Sequence, residues 1–196
     1  WVLNLPLGAR NPKNKAICGI LDKHFGYAFF NEMRTKRQYG YIVNAYAYLG
    51  KKNVGLELGI LSPQQTASFL SKQSLTWLRD EANKLDSMSA KQLDDYKQAL
   101  ITLLEQPNKT MSEWYNFVEM AALYENGDFD YRKKVIEAIK QVTPADLKEA
   151  MTTALDPATA RYLTVQVSPY AKSSPPPAEP QITDIAEFKK DAAVWE

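Results

Sequence analysis

Between Phe29 and Val43 the apolar residues change period, and that change constrains the fold more than any other feature of the chain. Phe29, Phe30 and Met33 stand one turn apart with polar residues between them, the spacing of a helix end. Tyr39, Tyr41 and Val43 then alternate with Gly40, Ile42 and Asn44, the spacing of a strand. A basic turn from Arg34 to Arg37 separates the two, and Gly40 follows where backbone can approach another group closely. The guanidinium of Arg34 and the phenol of Tyr41 are thereby set near a helix-to-strand junction. Residue types alone leave two readings open. The one they favour makes Arg34 a solvated helix-end cation and Tyr41 a core aromatic; the other gives the pair a function.

The rest of the pattern builds a sheet around this junction. Trp1 to Leu7 alternates as a half-buried strand, with Pro6 marking its exit or an edge. Asn11 and Pro12 have the chemistry of a helix cap and first turn, opening a helix through Ile17, Ile20, Leu21 and His24 that Gly26 is expected to interrupt. Two strands, roughly Gln38 to Leu49 and Val54 to Leu61, are joined by the hairpin turn Gly50-Lys51-Lys52-Asn53. From Ser62 to Leu155 the chain reads as helical, with starts expected at Ser62-Pro63, Ser89, about Met111 and Thr143-Pro144. Breaks fall at Pro107-Asn108, Asn126-Gly127 and Asp156-Pro157, and Ala160 to Val167 closes as a strand. This order predicts an α+β fold, a mainly antiparallel sheet with helices packed on one face. Residues 1–170 are expected to form a single domain, and 171–196 a Pro-rich linker followed by a C-terminal docking segment.

Composition removes several function classes. The 196 residues are 45% hydrophobic and 11% aromatic, enough for a substantial core in one domain. The net charge of +1, with acids and bases interspersed, argues against a nucleic-acid partner. The start at Trp1, without a methionine or a charged leader, reads as a mature or an artificially trimmed piece whose targeting information is absent, and with no membrane-length apolar run no membrane partner is expected. Cys18 lies in the apolar pattern Ile17, Ile20, Leu21 and is expected to be a buried, inert thiol. Asp94-Asp95 and the set Glu125, Asp128, Asp130 read as solvated carboxylates.

The stretch from Phe30 to Val43 resembles a segment of the pitrilysin/insulin-degrading-enzyme family of zinc metallopeptidases that reads roughly Phe-Asn-x-Leu-Arg-Thr-Lys-Glu-Gln-Leu-Gly-Tyr-x-Val. The element order and a closing segment, Ile182 to Lys189, resemble the same family's module, so the likeness extends over essentially the whole chain. The resemblance implies a mitochondrial-processing-peptidase-like metallohydrolase domain from the non-catalytic C-terminal half. It further implies that Arg34 and Tyr41 bind peptide substrate held at the zinc of a separate catalytic half, in the same polypeptide or a partner subunit. Two departures stand out: Arg37 replaces the usual Glu, putting a local ion pair in doubt, and Tyr39 replaces the usual Leu. The family module also usually begins with a further strand, whose absence here would leave a sheet edge open.

The family's catalytic motif, His-x-x-Glu-His with a distal Glu, does not occur in this sequence. Zinc hydrolysis requires three protein ligands and an open position, and the sequence has one histidine, His24. This chain is therefore expected to carry no catalytic residue, no metal ligand and no cofactor, the zinc lying in the catalytic half. A homodimer is compatible with the pattern, and a bacterial origin would imply a periplasmic setting. The alternative function is a structural or scaffold subunit related to processing peptidases, without a role in proteolysis.

Overall fold

The computed structural model describes residues 1–156, 158, 161–167, 182 and 184–191. Four strands, β1 (Val2–Ala9), β2 (Ile42–Leu49), β3 (Asn53–Leu61) and β4 (Leu163–Val165), form one sheet in the order β2-β3-β1-β4, and every pairing is antiparallel. Helix α1 (Pro12–Phe30) lies against the sheet, followed by α2 (Ala67–Ala82), α3 (Ala90–Glu105), α4 (Met111–Glu119), α5 (Tyr131–Gln141) and α6 (Pro144–Leu155). The inward face of the sheet carries Leu3, Leu5, Val43, Val54, Leu56, Leu58 and Ile60, all buried. They meet Phe25, Phe29 and Met33 from the α1 side, Leu70 and Leu78 from α2, and Leu147 and Met151 from α6. The outward face keeps Ile42, Tyr46 and Leu61 exposed, as expected for helices on one face only.

Register explains the position of the one strand proline. Trp1 and Ile60 exchange both main-chain hydrogen bonds, so Trp1, Leu3 and Leu5 bond towards β3 and the residues between them bond the other way. β4 pairs with Val2 to Asn4, and Pro6 stands two residues beyond that pairing. The missing N–H of Pro6 thus falls where no strand waits for it, and a register shift between Pro6 and Gly8 follows.

Gly26 does not interrupt α1, which runs unbroken through it to Phe30. A Cβ at Gly26 would stand 3.4 Å from the carbonyl oxygen of Ala45, so the glycine lets the helix lie close to β2, the outer strand. Asp22, one turn earlier, accepts a hydrogen bond from the Ala47 N–H at 2.7 Å. The helix thereby covers an edge that would otherwise present unpaired backbone.

The Ser62-Pro63 start is also displaced. The Ser62 hydroxyl accepts from the N–H groups of Gln64 and Gln65, which closes a local turn instead of capping a helix. α2 begins at Ala67 behind Thr66, whose hydroxyl accepts from the Phe69 N–H. The expected starts at Ser89 and Thr143 hold, the latter as a full capping box with Asp146. Near the C-terminus, Asp184 accepts from the N–H groups of Ala186 and Glu187 and opens α7 (Ile185–Asp191), along which Ile185 and Phe188 remain exposed. The Pro-rich stretch 173–177 and the boundary at 170 lie outside the described residues.

Candidate substrate-positioning site

The junction singled out by its change of period is a π-helical turn. After Phe30 the chain widens over Asn31–Lys36, with the Arg37 N–H donating to the Glu32 carbonyl and the Tyr39 N–H to that of Met33. Gln38 then takes a positive φ of 54°, an uncommon conformation for a residue other than glycine. Gly40 passes so close to β3 that a Cβ would lie 2.6 Å from the Leu61 carbonyl oxygen and 2.7 Å from Ile60. The Tyr41 N–H donates to that same carbonyl, and β2 starts one residue later, at Ile42 rather than at the expected Gln38. Residues 38–41 are thus a tight return from the wide turn to the sheet.

This path brings Arg34 and Tyr41 together. The guanidinium carbon of Arg34 lies over the Tyr41 ring at 4.7 Å and over the Phe30 ring at 5.6 Å. Tyr41 is 75% exposed, so it is not a core aromatic. Nothing among the described residues accepts a hydrogen bond from Arg34. The contrast with its neighbours is sharp. Arg37 donates to Glu32 at 2.8 Å and to Gln73 at 3.1 Å, and Arg10 and Arg132 are likewise engaged. The one carboxylate of the turn, Glu32, is occupied by Arg37 and by Lys36, and the bond from Arg37 holds it below its ordinary titration range. Arg37 in place of the usual acid therefore forms an ion pair of its own. Tyr39 replaces Leu without disturbance, packing edge-on against Phe69 at 5.2 Å.

Among the described residues no other feature offers comparable chemistry. Cys18 is buried, donates to the Gly55 carbonyl, and burial pushes its thiol up to about 12. His24 sits inside α1, edge-on to Phe25 and Tyr96, with burial lowering its affinity for a proton. No group of three or more His, Cys, Asp or Glu able to hold a metal ion occurs among the described residues. Glu125 departs from its reading as a solvated carboxylate. Its side chain is 11% exposed and receives both the Arg10 guanidinium, at 2.6 Å, and the Lys15 ammonium. Arg10 also donates to the Gly50 carbonyl at the hairpin, tying sheet, first helix and helical block together. These partners lie 110 or more residues apart, and no local pattern announces them.

A family model described as domain 4 of the C-terminal lobe of PQQ synthase PqqF-like proteins matches residues 20–118, half of the chain. The chain belongs to this family. It is a C-terminal-lobe domain of the pitrilysin kind, and its relatives agree. Protease 3 of Salmonella typhi is 27% identical over 145 residues, covering 74% of this chain and 15% of that protein. An insulin-degrading enzyme homolog of Dictyostelium discoideum is 26% identical over 179 residues, covering 88% of this chain and 18% of its own length. The crystal structure of pitrilysin superposes with a TM-score of 0.68 at 25% identity, over 78% of this chain and 16% of that one. An inactive peptidase domain from Bordetella parapertussis shares the fold, with a TM-score of 0.66 over 85% of this chain and 91% of that chain at 10% identity. The PqqF-like domain thus spans about 15% of the length of the first curated relatives it matches. The signature with Arg34 and Tyr41 lies inside the matched segment.

Proposed function

We propose that this domain is the non-catalytic, substrate-positioning part of a zinc-dependent metalloendopeptidase. It completes the peptide-binding chamber of a separate catalytic half, which carries the zinc. Arg34 and Tyr41 donate hydrogen bonds to the carbonyls of the peptide flanking the scissile bond. The observation that carries this reading is the state of Arg34: a guanidinium lying over the ring of an exposed tyrosine, with no acceptor for its N–H donors among the described residues. A structural arginine in a helix turn ordinarily has an acceptor, and the one carboxylate of this turn, Glu32, is taken by other cations. Donors set where negative charge develops beside a Lewis-acid metal stabilise the tetrahedral intermediate.

The test is turnover of a peptide by the zinc-loaded catalytic half together with this domain. Arg34→Ala and Tyr41→Phe should each lower turnover by about 10²–10³, the cost of one lost oxyanion donor, with little change in melting temperature. The double variant should lose less than the product of the singles, because both donors serve one carbonyl region. Wild-type turnover in both single variants would leave the domain as a scaffold.

A further inference from the structure

We infer that Phe30 is a positioning residue: its ring holds the guanidinium plane of Arg34 so that the donor edge is aimed before a peptide arrives. The inference rests on the reading of Arg34 as a carbonyl donor, and it begins from a residue the core does not need. Phe29 and Phe30 are adjacent, yet Phe29 is wholly buried whereas Phe30 is 40% exposed. Phe29 packs on Trp77 in the interior; Phe30 is partly exposed, with the guanidinium carbon of Arg34 over its ring.

Arginine is long and rich in rotamers, and a binding cation that wanders loses affinity when it must be ordered. The usual way to fix one is an ion pair, as Glu125 fixes Arg10. At a site meant to donate to neutral carbonyls, that solution defeats itself, because a carboxylate occupies the same N–H groups the ligand needs. Aromatic faces act differently. They attract the cation through the plane of the guanidinium and leave the N–H donors at its edge unoccupied. Phe30 and Tyr41 supply two such faces, one from the end of α1 and one from the return just before β2. Lys36 and Arg37 keep Glu32 from drawing Arg34 away. Tyr41 therefore has two duties, platform and hydroxyl donor, while Phe30 has only the first. The π-helical turn matters because it sets the spacing from Phe30 through Arg34 to the strand.

The experiment reads the Nε–H group of Arg34 by nitrogen-15 relaxation in the 196-residue chain, with Phe30→Leu and Phe30→Tyr as the variants. Leucine keeps bulk and loses the π face; tyrosine restores it. The order parameter should lie near the rigid value of about 0.85 in wild type, fall below about 0.6 in Phe30→Leu, and return in Phe30→Tyr. Tyr41→Leu, at a site that contributes little to the core, should lower it as well and guards against a folding defect at position 30. In the zinc-loaded protease containing this domain, Phe30→Leu should cost about 2- to 10-fold in kcat/KM, the loss expected when one rotamer-rich side chain is ordered only on binding, with Phe30→Tyr near wild type. Unchanged Arg34 order in Phe30→Leu overturns the inference whatever turnover does. Lost order with wild-type turnover in both Phe30→Leu and Arg34→Ala overturns the substrate-binding reading, and with it the role built on it.

Discussion

Single residues in this domain derive their weight from what surrounds them rather than from their type. Glu125 is the plainest case. It is the one carboxylate shared by Arg10 and Lys15, whose side chains are 4% and 7% exposed. Removing one partner of a buried ion pair leaves uncompensated charge, which costs about 3–5 kcal/mol. Glu125→Ala should therefore lower stability by about that amount in urea unfolding. Glu105→Ala, an exposed carboxylate at the end of α3, should stay within about 0.5 kcal/mol. Burial lowers the proton affinity of Lys15 while the bond to Glu125 raises it, so in the variant Lys15 shifts further towards its neutral form. Arg34 is the converse case: an arginine with no acid partner among the described residues, as the proposed role in binding a ligand requires. Arg10 and Arg34 are the same residue type. Their surroundings separate them: Arg10 meets Glu125 from 115 residues away, whereas Arg34 lies between rings of its own stretch of chain.

At the scale of elements, the packing of α1 against α2 and α3 places a titratable ring in the interior. His24 lies 3.7 Å from Glu81 of α2 and edge-on to Tyr96 of α3, and neither ring nitrogen has a hydrogen-bond partner. Burial dominates and lowers its pKa below the ordinary 6.5, with Glu81 opposing and Lys84 adding to the effect. In the unfolded chain His24 takes up a proton near 6.5, whereas the folded chain resists until lower pH. Stability from this residue is complete above about pH 6.5 and declines as pH falls towards the folded value. Denaturant unfolding at pH 7.5 and 5.5 should show the loss in wild type, and His24→Leu should remove that part of the slope. A wild type as stable at pH 5.5 as at 7.5 would contradict this account. The same helix shows how element boundaries escape local reasoning. Gly26 has the propensity of a breaker, yet close contact with β2 and the Asp22 bond to Ala47 carry α1 through it.

At the scale of the whole molecule, the domain has the sheet and helices of a peptidase module, and no group of three or more metal-ligating side chains occurs among its described residues. The purified chain, freed of chelator, should hold less than one zinc per chain by metal analysis and cleave no peptide on its own. One tightly bound zinc per chain would overturn this. Much of the architecture is legible in the sequence: the period change at Phe29 to Val43, the hairpin at Gly50 to Asn53, and the caps at Asn11, Ser89 and Thr143 are local features, encoded by spacing and by short-range hydrogen bonds. Membership of the family is legible too, because Arg34, Gly40 and Tyr41 sit in one short stretch. What lies beyond local encoding is the π-helical geometry of the turn, the reach of α1 over the edge of β2, and the burial of Glu125. Spacing in sequence determines which face a residue shares with its near neighbours. Whether a charge on that face meets water or a partner depends, for Asp22, Arg37 and Glu125, on segments 25, 36 and 115 residues away, and only the tertiary structure decides it.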